Sequence, residues 1–128
     1  MTQRLAKSPS AAAMKDSYSD RLTALLAQAR PTLATTHRLE FKNVFGAVGG
    51  YVNGSIFISC GKFGIALRLP PGILDSLFQE KGVRRLKYFP NGHVKKKYAV
   101  LPKRILETEE QFGTLLDESI AYAGRDGY

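Results

Sequence analysis

A chain of 128 residues, 44% apolar and 23% charged, has the size and balance of one folded domain that buries roughly two-thirds of its unfolded surface. That excludes a wholly disordered chain, and no apolar run approaches the ~20 residues of a membrane span. The single cysteine, Cys60, excludes a disulfide framework and a thiolate zinc site, while the net charge of +8 favours an anionic partner.

Residues 1–17 are small and polar, and their one apolar run, Ala11 to Met14, is too short for a secretory signal. They read as a flexible leader to a domain spanning 18–124, with 125–128 as a tail, in a cytoplasmic protein. Tyr18, Leu22, Leu25, Leu26 and Ala29 recur at helical spacing; Ser19 and Asp20 stand as candidate N-caps, and Pro31 ends the run.

From Arg38 the pattern becomes β. Leu39, Phe41, Val44 and Phe45 lead to Tyr51-Val52, then Ile56-Phe57-Ile58, then Ile65 to Leu69. Asn53-Gly54 between two apolar runs signals a type I′ hairpin turn, which needs positive φ at both central residues. Gly61 to Gly64 offers a second turn, so a meander of three or four antiparallel strands is predicted.

Pro70-Pro71-Gly72 breaks the pattern. Ile73, Leu74, Leu77, Phe78 and Lys81 then mark a short helix ending near Gly82. Strands Arg84 to Phe89 and Val94 to Leu101 flank the corner Pro90-Asn91-Gly92-His93. A last helix opens with Thr108 placed for a capping box, buries Phe112, Leu115, Leu116, Ser119, Ile120 and Ala123, and stops at Gly124. The order α-β(3–4)-α-β(2)-α predicts a two-layer α+β domain, an antiparallel sheet of five to six strands with helices on one face.

The glycine-dense segment Phe45 to Phe57 tests badly as a phosphate loop. Gly46-x-x-Gly49-Gly50 is neither dinucleotide nor nucleotide fingerprint, and a hairpin follows where both need a helix N-terminus. Its glycines read as hairpin and bulge residues. His37 and His93 lie in separate predicted turns with no ligand at metal spacing, Cys60 reads as a buried inert thiol, and no local nucleophile signature appears. The chain reads as a non-enzyme without cofactor or metal.

Charge is the feature that survives. Lys81, Arg84, Arg85, Lys87, Lys95, Lys96, Lys97, Lys103 and Arg104 fall in one stretch without an acidic residue, and the segment after it is acidic. A two-residue loop at Asn91-Gly92 would oppose Lys87 with Lys96. A longer or bulged loop instead aligns Leu86 with Tyr98 and Tyr88 with Lys96, and collects Arg85, Lys87, Lys95 and Lys97 on an outer face. Two readings stay open: lysines that discourage edge-to-edge pairing, or a docking surface for phosphates.

The ordered series F-G-x-x-G-G-Y-V-N-G-x-I-F, F-G-I-A-L-R-L-P and Y-F-P-N-G with K-K-Y-A-V-L-P resembles the N-terminal domain of the TfoX/Sxy proteins, from about Tyr18 to Ala123. The matching positions are Phe45-Gly46, Gly50-Tyr51, Asn53-Gly54, Leu67-Arg68-Leu69, Tyr88-Phe89 and Leu101-Pro102; Val44 stands where that family often has methionine. The resemblance implies a secretion-chaperone-like two-layer fold and a regulatory role, since the full regulators co-activate transcription of DNA-uptake genes with the cyclic-AMP receptor protein. Those regulators carry a second, C-terminal domain, and this sequence reads as a single-domain member lacking it. The family lends no catalytic residue. The expectation is an interaction domain acting in transcriptional regulation on a protein partner, a transcription factor or itself, or on nucleic acid. Arg84, Arg85, Lys87, Lys95, Lys96, Lys97, Lys103 and Arg104 are its candidate contacts. The alternative is a homodimeric or chaperone-like module that pairs through a sheet edge or helix.

Overall fold

The computed structural model describes residues 11–126, so the first ten residues of the expected leader lie outside the described residues. Among these the elements run α1 (Ala11–Ala29), α2 (Leu33–Thr36), β1 (Leu39–Val44), β2 (Ala47–Val52), β3 (Ser55–Gly61), β4 (Gly64–Arg68), α3 (Pro71–Leu77), β5 (Arg84–Leu86), β6 (Lys95–Leu101), α4 (Lys103–Leu106) and α5 (Glu109–Asp126). The predicted α+β domain is observed: six antiparallel strands in the order β1-β2-β3-β4-β6-β5. The main helices, α1, α3 and α5, contribute to one core.

Helix α1 begins eight residues before Ser19, which with Asp20 sits inside it rather than capping it. Ala11-Ala12-Ala13-Met14-Lys15 are strong helix formers and carry the helix N-terminally past the first buried residue. At the other end α5 runs through Gly124 to Asp126. Thr108 does precede it, but its hydroxyl donates to the Arg104 carbonyl at 2.7 Å. Helix α3 stops at Leu77 rather than near Gly82 because tighter turns take over, with Gln79 and Glu80 amides donating three residues back.

Both hairpin turns of the glycine segment are type I′ pairs. Asn53 and Gly54 have φ of 50° and 89°, as the sequence demanded; Phe45 and Gly46, at 49° and 82°, form a second such turn between Val44 and Ala47. Phe45 therefore belongs to a corner and not to the strand predicted for it. Nothing in the segment leads into a helix, and the phosphate-loop reading stays rejected.

Alternation divides the sheet into two faces. Ile65 and Leu67 join the large core under α1, α3 and α5, with Leu22, Leu26, Phe57, Ile58, Leu74, Leu77 and Leu116. Ala66, between them, belongs to a smaller cluster on the far face with Leu86 and Val100, against which Phe63, Tyr88 and Tyr98 pack. The two helices that flank the sheet are tied by Arg30, which donates from Nε and Nη2 to the two carboxylate oxygens of Asp117 at 2.6 and 2.7 Å and to the Gly113 carbonyl at 2.8 Å.

That fork holds the Asp117 carboxyl below its ordinary range, chiefly through the hydrogen bond from Arg30. A depressed carboxyl contributes stability above its unfolded pKa and loses it as the pH falls through the folded one. Stability is therefore expected to decline below about pH 4, with Asp117→Asn less stable at neutrality and flatter across the acid range. Urea midpoints at pH 3 to 7 check this, and parallel curves for the two proteins would refute it.

Candidate functional site

The lysine-bearing strand is interior. β6 lies between β4 and β5, and the sheet edges are β1 and the three-residue β5; Lys96 and Lys97 extend past the last β4 pair, Arg68↔Tyr98, and pair with no β5 residue. Because β5 returns from α3 beyond β6, β4 and β5 run the same way with β6 inserted antiparallel between them. The longer-loop register holds for Arg84↔Val100 and Arg85↔Ala99 and then breaks: Leu86 pairs with Lys95 rather than Tyr98. The break makes room for a side chain of the connecting loop to turn down onto the far face, where Leu86 is fully buried.

This face is paved with small residues. A Cβ added at Gly49 would stand 2.7 Å from Ile56 Cδ1 and 3.2 Å from a Tyr51 ring carbon, so the strands leave space only for side chains from their neighbours. Tyr88 reaches the neighbouring strand β3, its hydroxyl 3.2 Å from Ser59 Oγ. Phe63 meets Tyr88 edge-on at 5.7 Å, Phe45 tilts against Tyr88 at 5.4 Å, and Phe89 meets Phe45 at 6.0 Å. Burial raises the pKa of the Tyr98, Tyr88 and Tyr51 hydroxyls, Tyr98 most, with neighbouring tyrosines adding and Arg68 opposing at Tyr98. These hydroxyls stay neutral at physiological pH, so the charge of the face comes from its cations.

The ammonium of Lys95 lies 5.7 Å from the Phe45 ring centre and 6.0 Å from that of Tyr88, and Lys42 stands 4.9 Å from Tyr51. Such contacts are worth about 0.5–1 kcal/mol at exposed sites. The strands carry Lys42, Arg68, Arg84, Arg85, Lys95, Lys96 and Lys97 against one carboxylate, Glu40. The remaining acids of the described residues lie in helices or the short segments beside them.

The eight predicted contacts separate in space. Arg84 turns to the Phe63 carbonyl at 3.1 Å; Lys95 joins the aromatic group; Lys87, Lys96 and Lys97 are exposed. Arg85 leaves them, since its guanidinium sits 4.3 Å over the Phe78 ring beside α3. That corrects the expected common face for Arg85, because β alternation sends it opposite to Arg84 and Leu86. Lys103 faces Glu107 at 3.7 Å, and Arg104 reaches Glu80 at 3.5 Å and the Lys81 carbonyl at 2.7 Å, so both are engaged in the helical layer.

The sequence pattern that defines the TfoX N-terminal domain matches residues 32–123. The chain belongs to the TfoX N-terminal domain family. No curated protein and no solved structure matches it. Membership supports a regulatory, competence-related domain, and the matched span takes in all six strands and most of α5. Sequence patterning assigned no role to the aromatic residues, though Phe45 at a turn position normally taken by Asn, Asp or Gly was a legible signal. A bulky residue with left-handed backbone costs of order 1–2 kcal/mol, yet Phe45 is 61% exposed, and Phe89 55%.

A separate groove of about 670 Å³ runs between α1, α4, the start of α5 and the Phe63-Gly64 turn. Arg21, Arg84 and Lys103 share its wall with Glu107 and Glu109, so its rim is of mixed sign. None of the described helices is long and apolar enough to cross a membrane, and among the described residues no group of three His, Cys, Asp or Glu is placed to hold a metal ion.

Proposed function

We propose that this domain is a non-enzymatic regulatory module that acts in transcription by meeting an anionic partner, nucleic acid or an acidic protein surface, through the cationic strands β5 and β6 and the loop joining them. The observation that carries the reading is Lys95 held over Phe45 and Tyr88 on a sheet whose strands bear seven cations and one carboxylate. Lys87, Lys96, Lys97 and Arg84 extend the same field, which raises the local concentration of an anion and speeds its encounter. Family membership supports the regulatory role, and a cytoplasmic setting is part of the same proposal.

The test is retention of partners from native extract on the immobilised domain, with and without nuclease and across a salt series. The Lys95→Ala, Lys96→Ala, Lys97→Ala triple variant is expected to bind at least tenfold more weakly and, for a nucleic acid, with a salt slope shallower by about 0.9 for each phosphate that the lysines no longer neutralise. Equal retention by the triple variant and the parent would sink the reading. A dimer whose formation ignores salt and the three lysines would favour self-assembly instead.

A further inference from the structure

We infer that the far face of the sheet binds single-stranded nucleic acid, with unstacked bases lying on the exposed rings of Phe45 and Phe89 and phosphates drawn to Lys95 and the cations beside it. This rests on the anionic-partner reading and narrows it to one ligand chemistry.

Phe45 is the first observation. The chain contains the relaxed solution to the same turn, Asn53-Gly54 at φ 50° and 89°, yet places phenylalanine at 49° in the corner Phe45-Gly46. Asparagine adopts that backbone readily and phenylalanine only at a cost, so the turn geometry gives no reason for the ring. Packing accounts for one side of it, since the ring leans on Tyr88 at 5.4 Å, but 61% of the residue still faces solvent. Strain held at an exposed aromatic is the pattern of a contact residue.

The second observation is coincidence in space. Phe45 and Phe89 are the two large apolar side chains left exposed among the described residues, they come from loops 44 positions apart in the chain, and their rings meet at 6.0 Å. Each ring stands at a tight reversal: Phe45 in the type I′ pair, Phe89 in a turn closed by the Gly92 amide donating to its carbonyl at 2.9 Å. Rings fixed on short turns are presented before the ligand arrives, which lowers the ordering cost of binding.

Charge selects among occupants. Lys95 stands over Phe45, which disfavours a purely apolar docking helix and favours a ligand offering both flat rings and negative charge. A single strand offers both; a duplex shows phosphates and groove edges but keeps its base faces stacked inside. Aromatic rings paired with a cationic track are the recurring means of holding single strands.

The test measures fluorescence anisotropy of a labelled 12-mer oligothymidylate and of the same strand annealed to its complement, at one fixed salt concentration. The single strand is expected to bind at least tenfold more tightly. Phe45→Asn, which relaxes the turn and so folds with its melting temperature kept or raised, and Phe89→Ala should each weaken single-strand binding by about 5- to 150-fold and leave duplex binding unchanged, while Phe45→Tyr restores it. Unchanged single-strand affinity in folded Phe45→Asn overturns the inference. Equal affinity for both forms, each weakened by the triple lysine substitution, overturns it and leaves the anionic-partner reading standing. Retention of an extract protein that survives nuclease, with no oligonucleotide bound, does the same.

Discussion

Gly50→Ala is expected to lower the stability of the domain by about 1–3 kcal/mol, read as a drop of several degrees in melting temperature and a lower urea midpoint at unchanged slope. A Cβ built there stands 2.6 Å from Ile58 Cγ2, 3.4 Å from a Phe41 ring carbon and 3.5 Å from one of Phe57. Ile58 is fully buried and pairs directly with Gly50 across β2 and β3, and a β-branched side chain in a strand has few rotamers to retreat into. The register shifts between Gly50 and Tyr51, so the local backbone is already committed to a bulge. Against this, alanine restricts the unfolded chain and returns about 0.4–1 kcal/mol; the steric cost is the larger. Gly72→Ala, at a position with open space and no positive φ, supplies the control and should be neutral or stabilising. A Gly50→Ala midpoint equal to that of the parent would mean that the sheet has slack there.

Ser119→Ala should cost a comparable amount, about 1–3 kcal/mol, although it removes one oxygen from an otherwise apolar stripe. Ser119 is fully buried on α5. Its hydroxyl lies 2.6 Å from the Phe57 carbonyl and 2.7 Å from that of Arg68, donating across the point where the β3–β4 ladder gives out beyond Ile58↔Leu67. One proton serves two acceptors, so the bond fixes where α5 sits over two strands at once. The loss should appear in thermal and urea unfolding together. Should Ser119→Ala instead match or exceed the parent in stability, the hydroxyl is tolerated in the core and does not hold the helix.

The architecture was largely legible because it rests on local signals. Period-2 and period-3.6 apolar patterns, Asn53-Gly54, Pro31 and Pro70-Pro71 each act on near neighbours, and the structure has the strands, turn and helix ends they imply. Helix ends marked by weaker signals moved: Ser19 and Asp20 gave way to an alanine run, and Gly124 did not stop α5. Ser119 is buried as its place on the apolar stripe implies, yet its partners lie 62 and 51 positions away, beyond anything spacing can report. The basic stretch was visible as composition, but Arg85, Lys103 and Arg104 were dispersed to Phe78, Glu107 and Glu80 by strand alternation and helix packing.

By itself the sequence determined an α+β domain of this family, its Asn53-Gly54 corner and its separation of cationic from acidic segments, since propensity, turn chemistry and charge are properties of short stretches. Only the tertiary structure decided that β6 enters between β4 and β5, that the far face is roofed by Tyr88 and Phe63, and that Phe45 meets Phe89 with Lys95 over the Phe45 ring. Those outcomes depend on strand order and on a register break at Leu86, and both are settled by contacts between residues far apart in the chain, where the energy of burial outweighs any local preference.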